Sequence, residues 1–317
     1  MIEIRTCRDG DEGAIRDLFA LCFGKELSHE EWIWKYKRSY LGSSSFIAEE
    51  DGKVIAHYGG FKLLFYSRGR IFHAYQGCDV MTHPKYRAKL FSRKGVIVQT
   101  AEKFYEANPM EFIFGFPSER HGRLQRLQLG FERHRYITVL KKERKYFRHH
   151  RSSYLRVETG WERIRPDEMD DIWTNTRDSL PLSIEKTSGY ILWRYRDNPR
   201  GGYELLTVRG FLKKALKAYV IFKVEKDVLC VLDFFILQSA VLKKLLAILE
   251  DLAIKRSAKY ISFWCNPVEG FFEEFKINGY IEENGIPYIV KAFRESSISP
   301  EFFLKSYCFR QGDYDAA

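Results

Sequence analysis

Four landmarks recur along this chain in the same order, and that recurrence restricts its fold more than any single residue does. Trp34-Lys35-Tyr36-Lys37, followed by Gly42, returns as Trp193-Arg194-Tyr195-Arg196 with Gly201, every position displaced by 159. Asp79 returns as Asp233 after 154 residues, the aromatic run at 112–116 returns at 260–264, and Gly130-Phe131 returns as Gly279-Tyr280. Ordered matches that include rare aromatic clusters indicate a duplicated unit. A chain of 317 residues is long enough for two such units, each with its own core, and 45% apolar with 16% aromatic residues argues against disorder. The spacing shrinks toward the C-terminus, so the second copy has lost residues between its landmarks.

The stretch 79–107 carries the chemistry. Cys78, Val80 and Met81 suit a strand, which Pro84 must interrupt because it has no amide hydrogen to give a ladder. Leu90, Phe91, Val96, Val98, Ala101 and Phe104 approximate one face of a helix closed by Asn108-Pro109, so the pattern predicts strand, basic turn, then helix from near Phe91. A helix start presents unpaired N–H groups and the positive end of a dipole, and Lys85, Arg87 and Lys89 stand beside it. An anion site is one reading of this segment. A plain strand-turn-helix with a solvated basic surface is the other.

Thr82-His83-Pro84-Lys85-Tyr86-Arg87 resembles the approach to the phosphate loop in the GNAT superfamily of acyl-CoA-dependent N-acyltransferases. The family pattern Arg-x-x-Gly-x-Gly/Ala reads here as Arg87-Ala88-Lys89-Leu90-Phe91-Ser92, without either glycine. The resemblance implies an α/β fold, an α+β mixed sheet, in two tandem GNAT-like domains. It implies acetyl-CoA or another acyl-CoA as co-substrate, held by Val80, Met81, Arg87, Ala88, Lys89, Leu90, Phe91, Ser92 and Arg93, and a small-molecule amine as acceptor. It also makes Asp79 the candidate base, although the twin Asp233 allows a shared structural role. Many family members carry an acidic tyrosine four residues before the glycine that ends a later helix; here that position holds Arg126, and Phe275 in the second copy. In the second copy Leu237-Gln238-Ser239-Ala240 passes directly into a helix with no arginine or glycine to receive phosphate, so coenzyme is expected on the first copy alone. An N-acetyltransferase and a catalytically retired binding module both remain compatible with these residues.

The element order read from the first half is β, α, α, β, β, β, α, β, α, β. Ser28 with Glu31 forms a capping box, and Gly130 closes the last helix. The expected domains are 1–145 and 157–295, with a tail at 296–317. Of the net charge of +10, all falls between Arg120 and Arg156, which hold twelve Lys/Arg against Glu132 and Glu143. No nucleic-acid-binding motif accompanies that block, so it reads as a solvated junction or as help for an anionic ligand, and nucleic acid is not the expected partner. Six scattered cysteines have no metal or redox spacing, and the longest apolar run, 228–237, is short and contains Asp233. A cytoplasmic protein without a metal fits. His57 reads as a hydrogen-bonded strand residue, His121 as loop surface, and Trp32, Trp34, Trp193 and Tyr195 as core rather than a sugar-stacking cleft. His83 and Glu119 fall near the implied cleft, and Tyr86 reads as part of the turn.

Overall fold

The computed structural model describes residues 1–89, 95–132, 134–147, 155–210, 215–294 and 296–315, apart from the side chains of residues 88 and 89. The chain divides into two compact units, one of residues 1–65, 71–135 and 287–304, the other of residues 66–70, 136–286 and 305–317. From the N-terminus come β1 (Ile2–Thr6), α1 (Glu12–Phe23), α2 (His29–Tyr36), β2 (Ser43–Glu50), β3 (Lys53–Ser67) and β4 (Arg70–Thr82). A 3-10 turn (Pro84–Lys89) leads on to α3 (Val96–Ala107), β5 (Phe112–Gly115) and α4 (Glu119–Leu129). Next are β6 (Arg135–Glu143), β7 (Leu155–Thr159), α5 (Pro166–Thr176), β8 (Ser183–Ile184), α6 (Ser188–Ile191), β9 (Glu204–Gly210) and β10 (Leu216–Glu225). β11 (Val228–Ile236), α7 (Ser239–Lys255), β12 (Tyr260–Trp264), α8 (Phe272–Ile277), β13 (Ile281–Ala292) and α9 (Pro300–Ser306) complete the chain.

In the first unit the strand order is β1-β2-β3-β4-β5, with the end of β13 beside β5. Strand alternation sends Ile47 to one face, where it joins Ile15, Leu18 and Trp32 of α1 and α2, and sends Phe46 and Ala48 to the other, with Ile97, Ala101 and Phe104 of α3. Helices therefore cover both faces. α2 opens with the Ser28/Glu31 capping box, and α4 runs from the N-cap Ser118 to Gly130 at φ 71°. Trp34 and Trp193 are buried, as core residues should be. The start of α3 differs from the sequence expectation. Residues 84–89 are spent in a 3-10 turn, and the helix begins at Val96 behind Gly95.

The second unit orders its strands β7-β9-β10-β11-β12-β6, with the earlier part of β13 beside β6. Its core is the face shared by Val220, Leu229, Val231 and Phe263 with Leu242, Leu245 and Leu249 of α7. The copies do not end where the sequence spacing put them. β6, expected to close the first domain at residue 145, pairs antiparallel with β12 from Glu143↔Tyr260 to Val139↔Trp264. Its Lys142 forms a buried ion pair at 2.6 Å with Glu250 of α7. Conversely, Ile289 to Ala292 of β13 pair with β5 in the first unit. Each copy thus gives its last strand to the other unit, which covers an edge that would otherwise carry unpaired backbone groups. Residues 296–317 are no tail either: Phe303 packs on Phe65, Phe112 and Phe114 in the first unit, and Asp313 is buried in the second.

The basic block is partly absorbed by the fold. Besides Lys142, Lys145 pairs with Glu143 and Arg156 with Glu158, while Lys141 lies over the Tyr260 ring at 4.3 Å. Among the described residues, no helix is long and apolar enough to cross a membrane.

Candidate active site

β4 and β5 run parallel, with register recorded at Ala74↔Phe112, Tyr75↔Ile113 and Gln76↔Phe114. β5 then stops at Gly115, while β4 continues to Thr82. Beyond Gln76 the edge of β4 that faced β5 is left to meet another extended chain, which is the geometry needed for ligand recognition by backbone hydrogen bonds.

Asp79 lies in this overhang at φ 48°, a conformation that few residues other than glycine adopt, so the surroundings must hold it there. Its carboxylate accepts from Lys35 Nζ at 2.9 and 3.2 Å and from the Tyr36 hydroxyl at 2.8 Å. Its carbonyl accepts from His57 Nδ1–H at 2.7 Å. With Nδ1 fixed as a donor, the neutral ring presents Nε2 as an acceptor, and Ser45 Oγ donates to it at 2.6 Å. Burial pushes the Asp79 pKa up, but the Lys35 charge and hydrogen bond, with His57 and Tyr36, outweigh this and hold it below the usual carboxylate value. Burial holds His57 below its ordinary value, so it stays neutral. Gly59 is part of the arrangement, because a Cβ there would collide with the Tyr36 hydroxyl.

The second copy repeats this arrangement. Asp233 accepts from the Tyr195 hydroxyl at 2.9 Å and from Lys186 at 2.8 Å, and Gly312 leaves room for Tyr195 as Gly59 does for Tyr36. The motif that repeats at 159 and the aspartate that repeats at 154 therefore meet each other in both units. Arg194, which matches Lys35 in sequence, instead donates to the Gly312 carbonyl.

The remaining expected contacts divide into three groups. Met81 is buried among α1 and α2, and Val80 is partly buried against the α3 cluster, so toward a ligand these two offer backbone rather than side chain. Arg87 donates Nε–H to the Thr82 carbonyl at 2.9 Å, which holds the guanidinium at the end of β4. Ala88 and Lys89 belong to the 3-10 turn, and Leu90, Phe91, Ser92 and Arg93 lie outside the described residues. Sequence reasoning sought a phosphate-loop glycine at position 90 or 92 and passed over Gly95, the N-cap of α3, where no side chain caps the first turn. A helix start without a side-chain cap, with an arginine at the end of the preceding strand, fits a pyrophosphate.

Tyr86 donates to Glu50 and packs edge-on to His83, which makes it part of the turn. His121 is not loop surface. It sits in the first turn of α4, its Nε2 is buried with no hydrogen-bond partner among the described residues, and burial lowers its pKa to about 4. Nothing in its sequence context signals this. No group of residues that could hold a metal ion occurs among those described.

A family model for the acetyltransferase (GNAT) domain matches residues 3–126. No curated protein matches the sequence. Among solved structures, a conserved protein of Enterococcus faecalis V583, described as a probable N-acyltransferase, superposes with a TM-score of 0.74 at 10% identity, covering 92% of this chain and 72% of that one. A GCN5-related N-acetyltransferase from Anabaena variabilis ATCC 29413 gives 0.71 at 11% identity, over 92% and 73%. A tandem GNAT protein from the clavulanic acid biosynthesis pathway gives 0.55 at 10% identity, over 92% and 98%. Residues 3–126 thus match the GNAT acetyltransferase domain, and the chain as a whole shares the tandem GNAT fold.

Proposed function

We propose that this protein is an acyl-CoA-dependent N-acyltransferase that moves an acyl group, acetyl in the first instance, to the amine of a small molecule, with the coenzyme on the first unit. The observation that carries this reading is the overhang of β4 beyond β5, followed by Arg87 and the α3 start at Gly95. The overhang supports an extended pantetheine-like arm through backbone hydrogen bonds, and the helix start supports the pyrophosphate. Acyl transfer also needs a route for the amine proton. In this reading Asp79 is not the base, because both its oxygens already accept from Lys35 or Tyr36, which holds it as a poorly basic carboxylate; it fixes the overhang, and the proton leaves through solvent.

The non-catalytic reading has an observation in its favour, since position 126 is an arginine, and the partly buried Tyr105 of α3 has its hydroxyl engaged with Tyr58 at 2.8 Å rather than free to act as the acid. Calorimetry with coenzyme A on the whole chain, followed by thiol release from acetyl-CoA over a panel of small amines, separates the two. Binding with turnover on at least one amine is expected. Tight binding without thiol release on any amine would leave a binding module, and absence of binding would remove both readings.

A further inference from the structure

The basic block is matched within the fold at Lys142, Lys145 and Arg156, each of which has a carboxylate partner. On α4 it is not. Arg120, Arg123 and Arg126 are exposed, the helix carries Glu119 as its one carboxylate, and neither Arg120 nor Arg126 forms an ion pair among the described residues. At about 100° per residue these arginines and the exposed Leu127 fall within one arc of about 120°, while Leu124 and Leu129 pack into the cluster with α3.

The topology places this face at the mouth of the candidate active site. β4 and β5 run parallel and each leads into a helix, so α3 and α4 start at the same end of the sheet, the end at which β4 overhangs. Residues 116–118 alone separate β5 from α4. Arg120 and Arg123, in the first two turns, therefore stand at the end of the sheet that Arg87 and the α3 start also border. An acyl group reaches the overhang on an extended pantetheine arm, and that arm comes in two forms. Free coenzyme ends in a pyrophosphate and a nucleotide, whereas a carrier protein ends the arm in a single phosphodiester on an acidic helix. The segment between Arg87 and Gly95 has no glycine to let the backbone close on a pyrophosphate, and one phosphodiester asks less of it. Arginines spread over three turns beside a leucine match charges spread over a protein surface better than the compact charge of a nucleotide.

We propose that the exposed face of α4 docks an acidic carrier protein, which delivers its acyl group as a thioester on a phosphopantetheine arm laid along the β4 overhang. This rests on the acyl-transfer reading and adds a protein-borne donor to it. The acceptor nitrogen attacks the thioester carbonyl, the carbon–sulfur bond breaks, and the arm stays on the carrier as a thiol that takes up the amine proton through solvent. The test uses the full chain and a purified bacterial acyl carrier protein loaded with an acetyl group, read by fluorescence anisotropy, beside calorimetry with coenzyme A. Saturable carrier binding is expected, weakening at least about tenfold between roughly 50 and 300 mM salt. Arg120→Glu with Arg126→Glu breaks no ion pair among the described residues; it should weaken the carrier at least about tenfold and leave coenzyme A within about twofold. The pair Arg120→Gln and Arg126→Gln decides the matter should the reversal fail to fold. Absence of carrier binding, binding undiminished in a folded variant, coenzyme weakened as much as the carrier, or equal binding of a single-stranded oligonucleotide overturns the proposal. Coenzyme A bound and turned over by a chain that ignores the carrier overturns this proposal alone, whereas a chain that binds neither removes the acyl-transfer reading as well.

Discussion

A buried carboxylate shared by one ammonium and one phenol is worth more as a strut than as a proton acceptor. Asp79→Asn removes the counter-charge of Lys35, which is itself buried, and the expected cost is about 3 kcal/mol in urea unfolding. Adding Lys35→Met should recover most of that loss, because the pair is then replaced rather than broken. If Asp79 only positions the strand, thiol release should recover along with stability in the double variant; a persistent loss of turnover would restore it as the base. The histidines set the acid limit. His57 and His121 both have folded-state pKa values depressed by burial, so the unfolded chain takes up their protons first as pH falls. Their contribution is complete above the ordinary value of 6.5 and is lost on acidification, for His121 between 6.5 and about 4 at roughly 1.4 kcal/mol per pH unit. His121→Leu should therefore flatten the decline of Tm across that window. An unchanged slope would mean that His121 becomes protonated in the folded protein.

At the scale of elements, caps were legible and the start of α3 was not. Ser28 with Glu31, and Gly130 after a helical run, are local chemistry that fixes a helix end wherever it occurs. The apolar spacing from Leu90 to Phe104 has no such marker, and periodicity alone reports which residues share a face without saying where the face begins. The 3-10 turn and the uncapped Gly95 moved the helix start five residues along from Phe91. On the acyl-transfer reading, the backbone contacts expected over residues 87–93 would extend to the first turn of α3. Arg87→Ala should weaken coenzyme A about tenfold by calorimetry, as the loss of a charge-assisted hydrogen bond would. Gly95→Val, which places a branched side chain at the N-cap, should do at least as much. If both variants bind as well as the parent, the phosphate does not lie at this helix start.

For the molecule as a whole, the exchange of last strands makes each unit incomplete without chain from the other copy. A chain ending at residue 145 lacks the β13 segment that pairs with β5, and one beginning at 157 lacks β6 and the Lys142–Glu250 pair. Either fragment is expected to expose a strand edge and to give an aggregating or loosely packed product by size exclusion and near-ultraviolet circular dichroism. A stable, monomeric 1–145 fragment with sharp tertiary signals would contradict the exchange. The sequence by itself determined that the chain is duplicated, the order of elements in its first half and the place of its basic turn, because spacing, periodicity and cap chemistry are properties of the chain read along its length. The tertiary structure alone decided which unit takes each last strand, that Lys35 and Tyr36 close on Asp79, and that His121 Nε2 is buried with no partner among the described residues. Those are contacts between residues far apart in the chain, or the absence of one, and they depend on which edges and charges need covering once the sheets have formed, which no local pattern records.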